Sequence, residues 1–247
     1  MLRVKNIVSA SIAGVCGVLI MAGMVWAGAN QYTRTVDSSL DIDGYEIGET
    51  TTKTIFNGSS SLKVVTSLNI DTSDYALEGA TAHTWQHGEL TGMYLKYDEN
   101  GEKTVIVGSR VNEAVHMNYA LADGGSESAV VDTDDFDCVY ENLPQYLHAN
   151  NYPATMKRIR LFDPLVGDSV VHTATSLGIE DIKVNGITFS CRKYAIKEKN
   201  RTKDSEDIQL WIASDDLGGF VVKEEVDSSF GLSVQLMTKY SLTGNAG

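Results

Sequence analysis

The chain has 247 residues, with 33 acidic and 20 basic side chains and a formal net charge of −13 at pH 7. Such an acidic surface repels nucleic acid phosphates and anionic membranes, which excludes both as partners of the bulk surface. None of the three cysteines forms a C-x-x-C pair, which argues against a thiol–disulfide enzyme.

The N-terminal segment, residues 1–29, has the composition of a secretory signal peptide. Arg3 and Lys5 precede an uncharged apolar stretch, and Ala27-Gly28-Ala29 is a small-x-small cleavage pattern. The apolar stretch is long for a signal core, so a retained N-terminal anchor is the alternative. We therefore expect an exported protein, periplasmic or secreted, that touches a membrane only through residues 1–29 if they are not cleaved. Residues 30–247 would form a single domain.

From residue 30 onward, short alternating segments are separated by turn dipeptides. These are Asp43-Gly44, Asn57-Gly58, His87-Gly88, Asn100-Gly101 and Asn185-Gly186. The pattern predicts antiparallel strands joined by tight hairpins. So many short strands with one apolar face cannot stay flat and bury that face. We therefore predict a mainly β fold, with one long antiparallel sheet curled into a half-open barrel.

One segment, residues 134–150, departs from the strand pattern. Its apolar residues recur at i, i+3, i+4 and i+7, which predicts one face of a helix; they are Phe136, Val139, Tyr140 and Leu143. Aspartates crowd its start, where a helix dipole favours negative charge. Pro144 is expected to end or kink the helix. We predict that this single short helix lies against the concave face of the sheet.

Two cysteines, Cys138 and Cys191, remain after removal of a signal peptide. An even number of cysteines in an exported chain favours a disulfide, and two buried free thiols are the alternative. Cys191 lies in the strand-like segment "ITFSCRKYAIKE", where Ile187 and Phe189 share its face. The bridge would therefore fasten the helix to the concave face.

No complete catalytic or metal-binding motif occurs in the sequence. It lacks the nucleophile-elbow, zincin, Walker and dinucleotide-binding patterns. His83, Trp85, His87 and Glu89 share one strand parity, but the His87-Gly88 turn breaks it, which favours a strand-surface position over a metal set. We expect no enzymatic activity, no metal and no cofactor.

A ligand cup needs large apolar side chains on one strand face. The candidates of this kind are Met93, Leu95, Tyr97, Phe162, Leu165, Phe189 and Leu210. The alternative is that they pack the core around the helix, because a core and a ligand cup use the same residue types.

The C-terminal part carries a family resemblance. Its residues Gly186, Phe189, Cys191 and Tyr194 are followed by Leu210-Trp211-Ile212 and Val221-Val222-Lys223. This arrangement resembles uncharacterised secreted bacterial domains related to the periplasmic lipoprotein carrier, the LolA-like half-barrel. The resemblance implies an open barrel with a helix or loops in its mouth. By fold analogy, such a cup holds an acyl chain or a lipidated peptide.

These observations predict an exported binding or carrier protein for a hydrophobic small molecule or an acylated protein. Two alternatives remain. A structural or assembly module of the cell envelope would have a filled core and an envelope protein partner on an edge strand. A hydrolase of envelope polymer would need clustered carboxylates or histidines in a groove.

Overall fold

The computed structural model describes residues 31–245 except 59–60, 74, 201–204, 216 and 229–230. The predicted signal peptide, residues 1–29, lies outside the described residues. Within them, no helix is both long enough and apolar enough to cross a membrane.

Most described residues belong to one sheet of fifteen strands. The strands are β1 (Gln31–Ile42), β2 (Tyr45–Asn57), β3 (Ser61–Asp71), β4 (Ala76–Gln86), β5 (Glu89–Glu99), β6 (Glu102–Val111), β7 (Ala114–Ala120), β8 (Ser126–Asp132), β9 (Cys138–Val139), β10 (Thr155–Asp163), β11 (Asp168–Val184), β12 (Ile187–Glu198), β13 (Asp207–Asp215), β14 (Gly218–Ser228) and β15 (Gly231–Asn245). One short α-helix, α1 (Leu143–Ala149), accompanies them. This confirms the predicted mainly β fold with one long sheet and one short helix.

The strand order is almost that of a simple meander. It runs from β8 back to β1, then to β15, and from β15 back to β9. Neighbours are antiparallel from β2 to β8 and from β10 to β15, whereas the two-residue β9 pairs in parallel with β10. Order along the chain therefore becomes order across the sheet, as the turn pattern predicts.

Four of the predicted hairpin turns adopt the same geometry. Asp43, His87, Asn100 and Asn185 have φ values from 49° to 52°, and the glycine after each has φ from 84° to 88°. Positive φ at both central residues defines the type I′ turn, whose twist matches that of the flanking strands. Local turn chemistry therefore fixes the register of these hairpins.

The chain divides into two compact units. The N-terminal unit comprises the described residues up to Asp37, Gly48–Thr133 and the chain from Tyr240 onward. Its strands alternate between buried and exposed positions, so one sheet face forms its core. The largest apolar side chains of that core include Leu77, Leu90, Leu95, Ile106 and Met117.

The C-terminal unit comprises Ser38–Ile47 and Asp134–Lys239. Within it, α1 contacts both β14 and β9, although four strands separate these two in the sheet. In a flat sheet they would lie about 24 Å apart, which exceeds the roughly 10 Å diameter of a helix. The sheet of this unit therefore curls around α1, which confirms that the helix docks on a concave face.

The helix is shorter than the predicted segment 134–150. Cys138 and Val139 pair with Leu161 and Phe162 of β10, which takes them out of the helical pattern. Tyr140–Asn142 form a single 3-10 turn before α1. Pro144 stands in the first turn of α1, where its missing N–H costs nothing, so it begins the helix and does not end it.

The predicted disulfide is wrong, because Cys138 and Cys191 are both free and buried. Cys138 pairs with Leu161 of β10, which in turn pairs with Val170 of β11. Cys191 of β12 pairs with Glu180 of β11, ten residues further along that strand. At about 3.3 Å per residue, ten residues (180 − 170) span about 33 Å. A disulfide needs Cα atoms about 4.4–6.8 Å apart. Strand register therefore keeps the thiols apart.

Candidate functional site

A row of polar side chains crosses the buried face of the N-terminal unit. Thr81, His83 and Trp85 alternate along β4, so they point to the same face of the sheet. Thr81 and His83 are fully buried and Trp85 is 4% exposed. At about 3.3 Å per residue, the row is about 13 Å long from Thr81 to Trp85. We call these three residues the polar row.

Strand register defines what flanks the polar row. On β5 the facing residues are all apolar: Leu95 beside Thr81, Met93 beside His83 and Leu90 beside Trp85. On β3 they are Thr66, Val64 and Leu62 in the same order. The buried face therefore sets a line of polar atoms directly beside a broad apolar surface, which is the composition of a site for an amphipathic ligand.

The polar atoms of this row have no hydrogen-bond partner among the described residues. They are the Thr81 hydroxyl, both ring nitrogens of His83 and the Trp85 indole nitrogen, and the buried Thr50 hydroxyl on β2 is in the same condition. More than about 90% of buried polar groups in proteins are paired, and each unpaired one costs about 1–3 kcal/mol. Four such residues on one face therefore indicate a place where an occupant completes the hydrogen bonding.

A neighbouring threonine shows the ordinary arrangement. Thr66 lies directly opposite Thr81 on β3, and its hydroxyl is 3.2 Å from the hydroxyl of Thr52 on β2. This pair satisfies itself across two strands. The unpaired state of Thr81 is thus a property of its position and not of threonine on this face.

His83 is an uncharged member of the row at neutral pH. Burial lowers its pKa to about 4, because the imidazolium cannot be solvated inside the unit. A neutral imidazole offers one N–H donor and one nitrogen acceptor. His83 can therefore hold a ligand by two hydrogen bonds without an ion pair.

The apolar side of the site continues over β6 to β7. A Cβ on Gly108 of β6 would lie 2.4 Å from Cγ of Met93 and 3.4 Å from Cγ of Met117. The glycine thus leaves the space in which the two methionine side chains meet. Methionine is flexible and fills irregular gaps, so this part of the face can rearrange around an apolar chain.

The C-terminal unit holds a second polar cluster, built from acids. Tyr140 Oη donates a 3.0 Å hydrogen bond to Glu224 of β14. Burial raises the pKa of Glu141 to about 8 and that of Glu224 to about 7, and burial with the nearby Glu224 charge raises the pKa of Glu206 to about 7. These carboxyls hold protons near neutral pH. No three His, Cys, Asp or Glu side chains of the described residues are arranged to hold a metal ion.

A family model described as a domain of unknown function, DUF6134, matches residues 40–230, which is more than half of the chain. The chain belongs to the DUF6134 family. No curated protein sequence matches it.

Two solved structures are similar to this DUF6134 chain. A beta-barrel-like protein of domain of unknown function DUF1849 from Brucella abortus aligns with a TM-score of 0.58 at 9% identity, over 88% of this chain and 98% of its own. A DUF1329 family protein from Desulfovibrio piger ATCC 29098 aligns with a TM-score of 0.26 at 11% identity, over 100% of this chain and 94% of its own. The first likeness shows a β-barrel-like fold. The relation to the lipoprotein carrier stays a prediction.

The DUF6134 fold brings together three of the seven predicted ligand residues. Met93, Leu95 and Tyr97 lie on the buried face of β5 and are 4%, 2% and 7% exposed. They sit beside the polar row, since Leu95 faces Thr81 and Met93 faces His83. As sequence parity predicts, these three share one face.

The other four predicted ligand residues lie in the C-terminal unit. Phe162 stacks on Phe136 with ring centroids 5.0 Å apart, and Phe189 meets the edge of Phe220 at 6.1 Å. Leu165 lies in the loop between β10 and β11, and Leu210 is buried on β13. Phe162 and Phe189 thus have aromatic partners of their own, and the structure gives no common site for the four.

The predicted strand-surface position is wrong for His83 and Trp85, which are buried, whereas His87 and Glu89 are exposed as predicted. The His87-Gly88 turn begins only after Gln86, so it leaves the parity of residues 81–85 intact. The alternation of Thr81, His83 and Trp85 was therefore a usable signal for a shared face. What the sequence does not carry is which face of β4 is buried.

Proposed function

We propose that this chain is a non-enzymatic binding or carrier protein for a hydrophobic ligand, a lipid or a lipoprotein acyl chain, that acts after export from the cytoplasm. The site is the buried face of the N-terminal unit. The observation that supports it is the polar row, whose buried atoms lack partners beside an apolar surface. An amphipathic occupant supplies the missing hydrogen bonds and buries its own apolar part in the same step.

The entry of an acyl chain requires side-chain movement. Met93, Leu95 and Met117 are nearly without exposed surface. Met93 and Met117 are the natural residues to move, because their unbranched side chains are more adaptable than the branched side chains around them. Each buried CH₂ group of the ligand contributes about 0.8 kcal/mol, so a long chain offsets this rearrangement.

The same low exposure favours a second candidate function. A core that is already filled by its own side chains suits a structural or assembly module of the envelope, with an envelope protein as partner. The two candidates differ in one measurable property, which is whether the purified protein carries or takes up a lipid.

The test is native mass spectrometry of the protein purified from the envelope of its own source, followed by solvent extraction. We expect a co-purifying lipid in near-equimolar amount. A bare protein that also fails to take up a fluorescent fatty acid would overturn the proposal and leave the structural module.

A matched pair of variants locates the site on β6. Ile106 is buried and faces Leu95, whereas the next residue, Val107, is 47% exposed. Ile106→Ala should weaken lipid uptake, because it removes apolar contact from the site, and Val107→Ala should not. Circular dichroism confirms that both variants fold. Equal uptake by the two variants would place the ligand elsewhere.

A further inference from the structure

The polar row also constrains the chemistry of the ligand, an inference that rests on the proposed function. We propose that the ligand is a lipid with an extended, acceptor-rich polar part, in which ester, phosphate or sugar oxygens are spread over about 13 Å, and not a free fatty acid. This names the ligand class of the site.

The first argument for this ligand class is the length of the polar row. Thr81, His83 and Trp85 are alternate residues of β4, so neighbouring members of the polar row are about 6.6 Å apart. The two oxygens of a carboxylate are only about 2 Å apart, and a hydrogen bond spans about 3 Å. A fatty acid head therefore reaches one position of the row and leaves the others unpaired. A glycerol ester with a phosphate or a sugar reaches all three.

The second argument is the number of hydrogen-bond donors and acceptors in the polar row. The indole of Trp85 can only donate, and each threonine hydroxyl and the neutral His83 ring offers one donor. The three positions thus present three donors and two side chains able to accept. The occupant needs an acceptor at every position and a donor at no more than two. Ester, phosphate and sugar oxygens meet this requirement.

The third argument is the apolar surface that lies beside the polar row. Leu90, Met93 and Leu95 face the three polar residues one by one along β5. A polar region on the row therefore lies parallel to an apolar strip, and the strip continues over Gly108 to Met117. This is the arrangement that a lipid requires when its acyl chain folds back beside its polar part.

The experiment compares two probes with the same acyl chain, a monoacyl glycerophosphocholine and the free fatty acid, on the full chain after delipidation. Thr81→Val removes a hydroxyl with almost no change of shape, whereas Trp85→Phe removes the indole N–H together with part of the ring volume. Measured by calorimetry, both variants should weaken phospholipid binding about three- to tenfold, whereas fatty acid binding should fall in at most one of them, because a carboxylate reaches only one position of the row.

Thr84→Val is the matched control, because Thr84 lies between His83 and Trp85 on β4 and its side chain points to the opposite face of the sheet. It should leave both affinities unchanged. Thr81→Val should not lower the midpoint of the lipid-free protein, since it removes an unpaired buried hydroxyl.

The outcomes separate this inference from the proposed function. Preferential phospholipid binding that falls in both row variants supports the inference. Equal binding of the two probes, unaffected by the row variants, overturns the inference and leaves the proposed function standing. If neither probe binds, both the inference and the proposed function fail.

Discussion

At the scale of single residues, His83 makes the stability of the N-terminal unit depend on pH. Its folded pKa of about 4 lies below the ordinary value of 6.5, so the unfolded chain takes up the proton first. The contribution of neutral His83 to the free energy of unfolding is complete above pH 6.5. It falls by roughly 3 kcal/mol in total as the pH drops toward 4. His83→Phe should remove this acid loss. Urea unfolding of both proteins at pH 7 and pH 4.5 measures it, and parallel losses would contradict the assignment.

Gly108 is a second residue whose identity the packing demands. A Cβ at this position would lie 2.4 Å from Cγ of Met93, whereas a Cβ on Gly92 would meet nothing closer than a backbone oxygen at 3.8 Å. Gly108→Ala should therefore lower the free energy of unfolding by about 1–3 kcal/mol through overpacking. Gly92→Ala is the control and should be neutral or slightly stabilising. Urea unfolding of the two variants decides, and equal stability would show that Met93 moves aside freely.

At the scale of elements, two contacts between β14 and the segment from Tyr140 to Ala149 can be tested separately. One is the Tyr140–Glu224 hydrogen bond of 3.0 Å. The other is backbone packing, since a Cβ on Gly219 would lie 2.4 Å from the carbonyl oxygen of Pro144. The glycine thus permits a close approach of α1 to the strand, and the hydrogen bond fixes the turn that precedes α1.

The acids around this segment give it a pH dependence. Glu141, Asp163, Glu206 and Glu224 all have raised pKa values, with burial as the largest cause. Because the pKa values are raised in the folded state, the protonated carboxyls contribute fully to the free energy of unfolding below about pH 4.5. This contribution is lost as the pH rises toward 8. Glu224→Gln keeps an acceptor for Tyr140 and removes one of the charges. Hydrogen exchange of α1 should then accelerate less between pH 6 and pH 8, after correction for intrinsic exchange, than in the parent.

Tyr140→Phe separates the hydrogen bond from the charge. It removes the donor and leaves Glu224 ionisable, so α1 should be less protected at every pH and its pH dependence should persist. A variant in which both protection and pH dependence are unchanged would show that the segment is held by packing alone.

The elements also show what local sequence can and cannot predict. Turn dipeptides such as Asn185-Gly186 determine their own backbone conformation, so the hairpins and their order were predictable. The start of α1 was not, because the pairing of Cys138 and Val139 with β10 is a contact between segments far apart in sequence. The disulfide prediction failed for the same reason, since register between strands decides which cysteines meet.

The candidate site was predictable only in part, on the same physical grounds. Strand parity placed Met93, Leu95 and Tyr97 on one face, and the structure buries that face. Parity also aligned His83 with Trp85, but a buried and a solvent-exposed strand face obey the same alternation. Only the curvature and pairing of the sheet decide that these polar atoms are buried without partners.

At the scale of the whole molecule, the shifted pKa values predict opposite responses of the two units to pH. The N-terminal unit loses stability in acid through His83, and the C-terminal unit loses it in base through its carboxyls. Each unit holds one tryptophan of the described chain, Trp85 in the first and Trp211 in the second. Intrinsic fluorescence can therefore report on each unit separately.

The last prediction uses Trp211→Phe and Trp85→Phe variants of the chain from residue 30 onward, each with a single fluorescent reporter. Between pH 7.5 and pH 5, the unfolding midpoint reported by Trp85 should fall, because His83 is protonated preferentially in the unfolded chain. The midpoint reported by Trp211 should rise over the same range, because the half-buried carboxyls of its unit keep their protons and outnumber His172, whose lowered pKa acts in the opposite direction. Coincident midpoints at every pH would mean that the units unfold as one cooperative body, in which the two opposing dependences cancel.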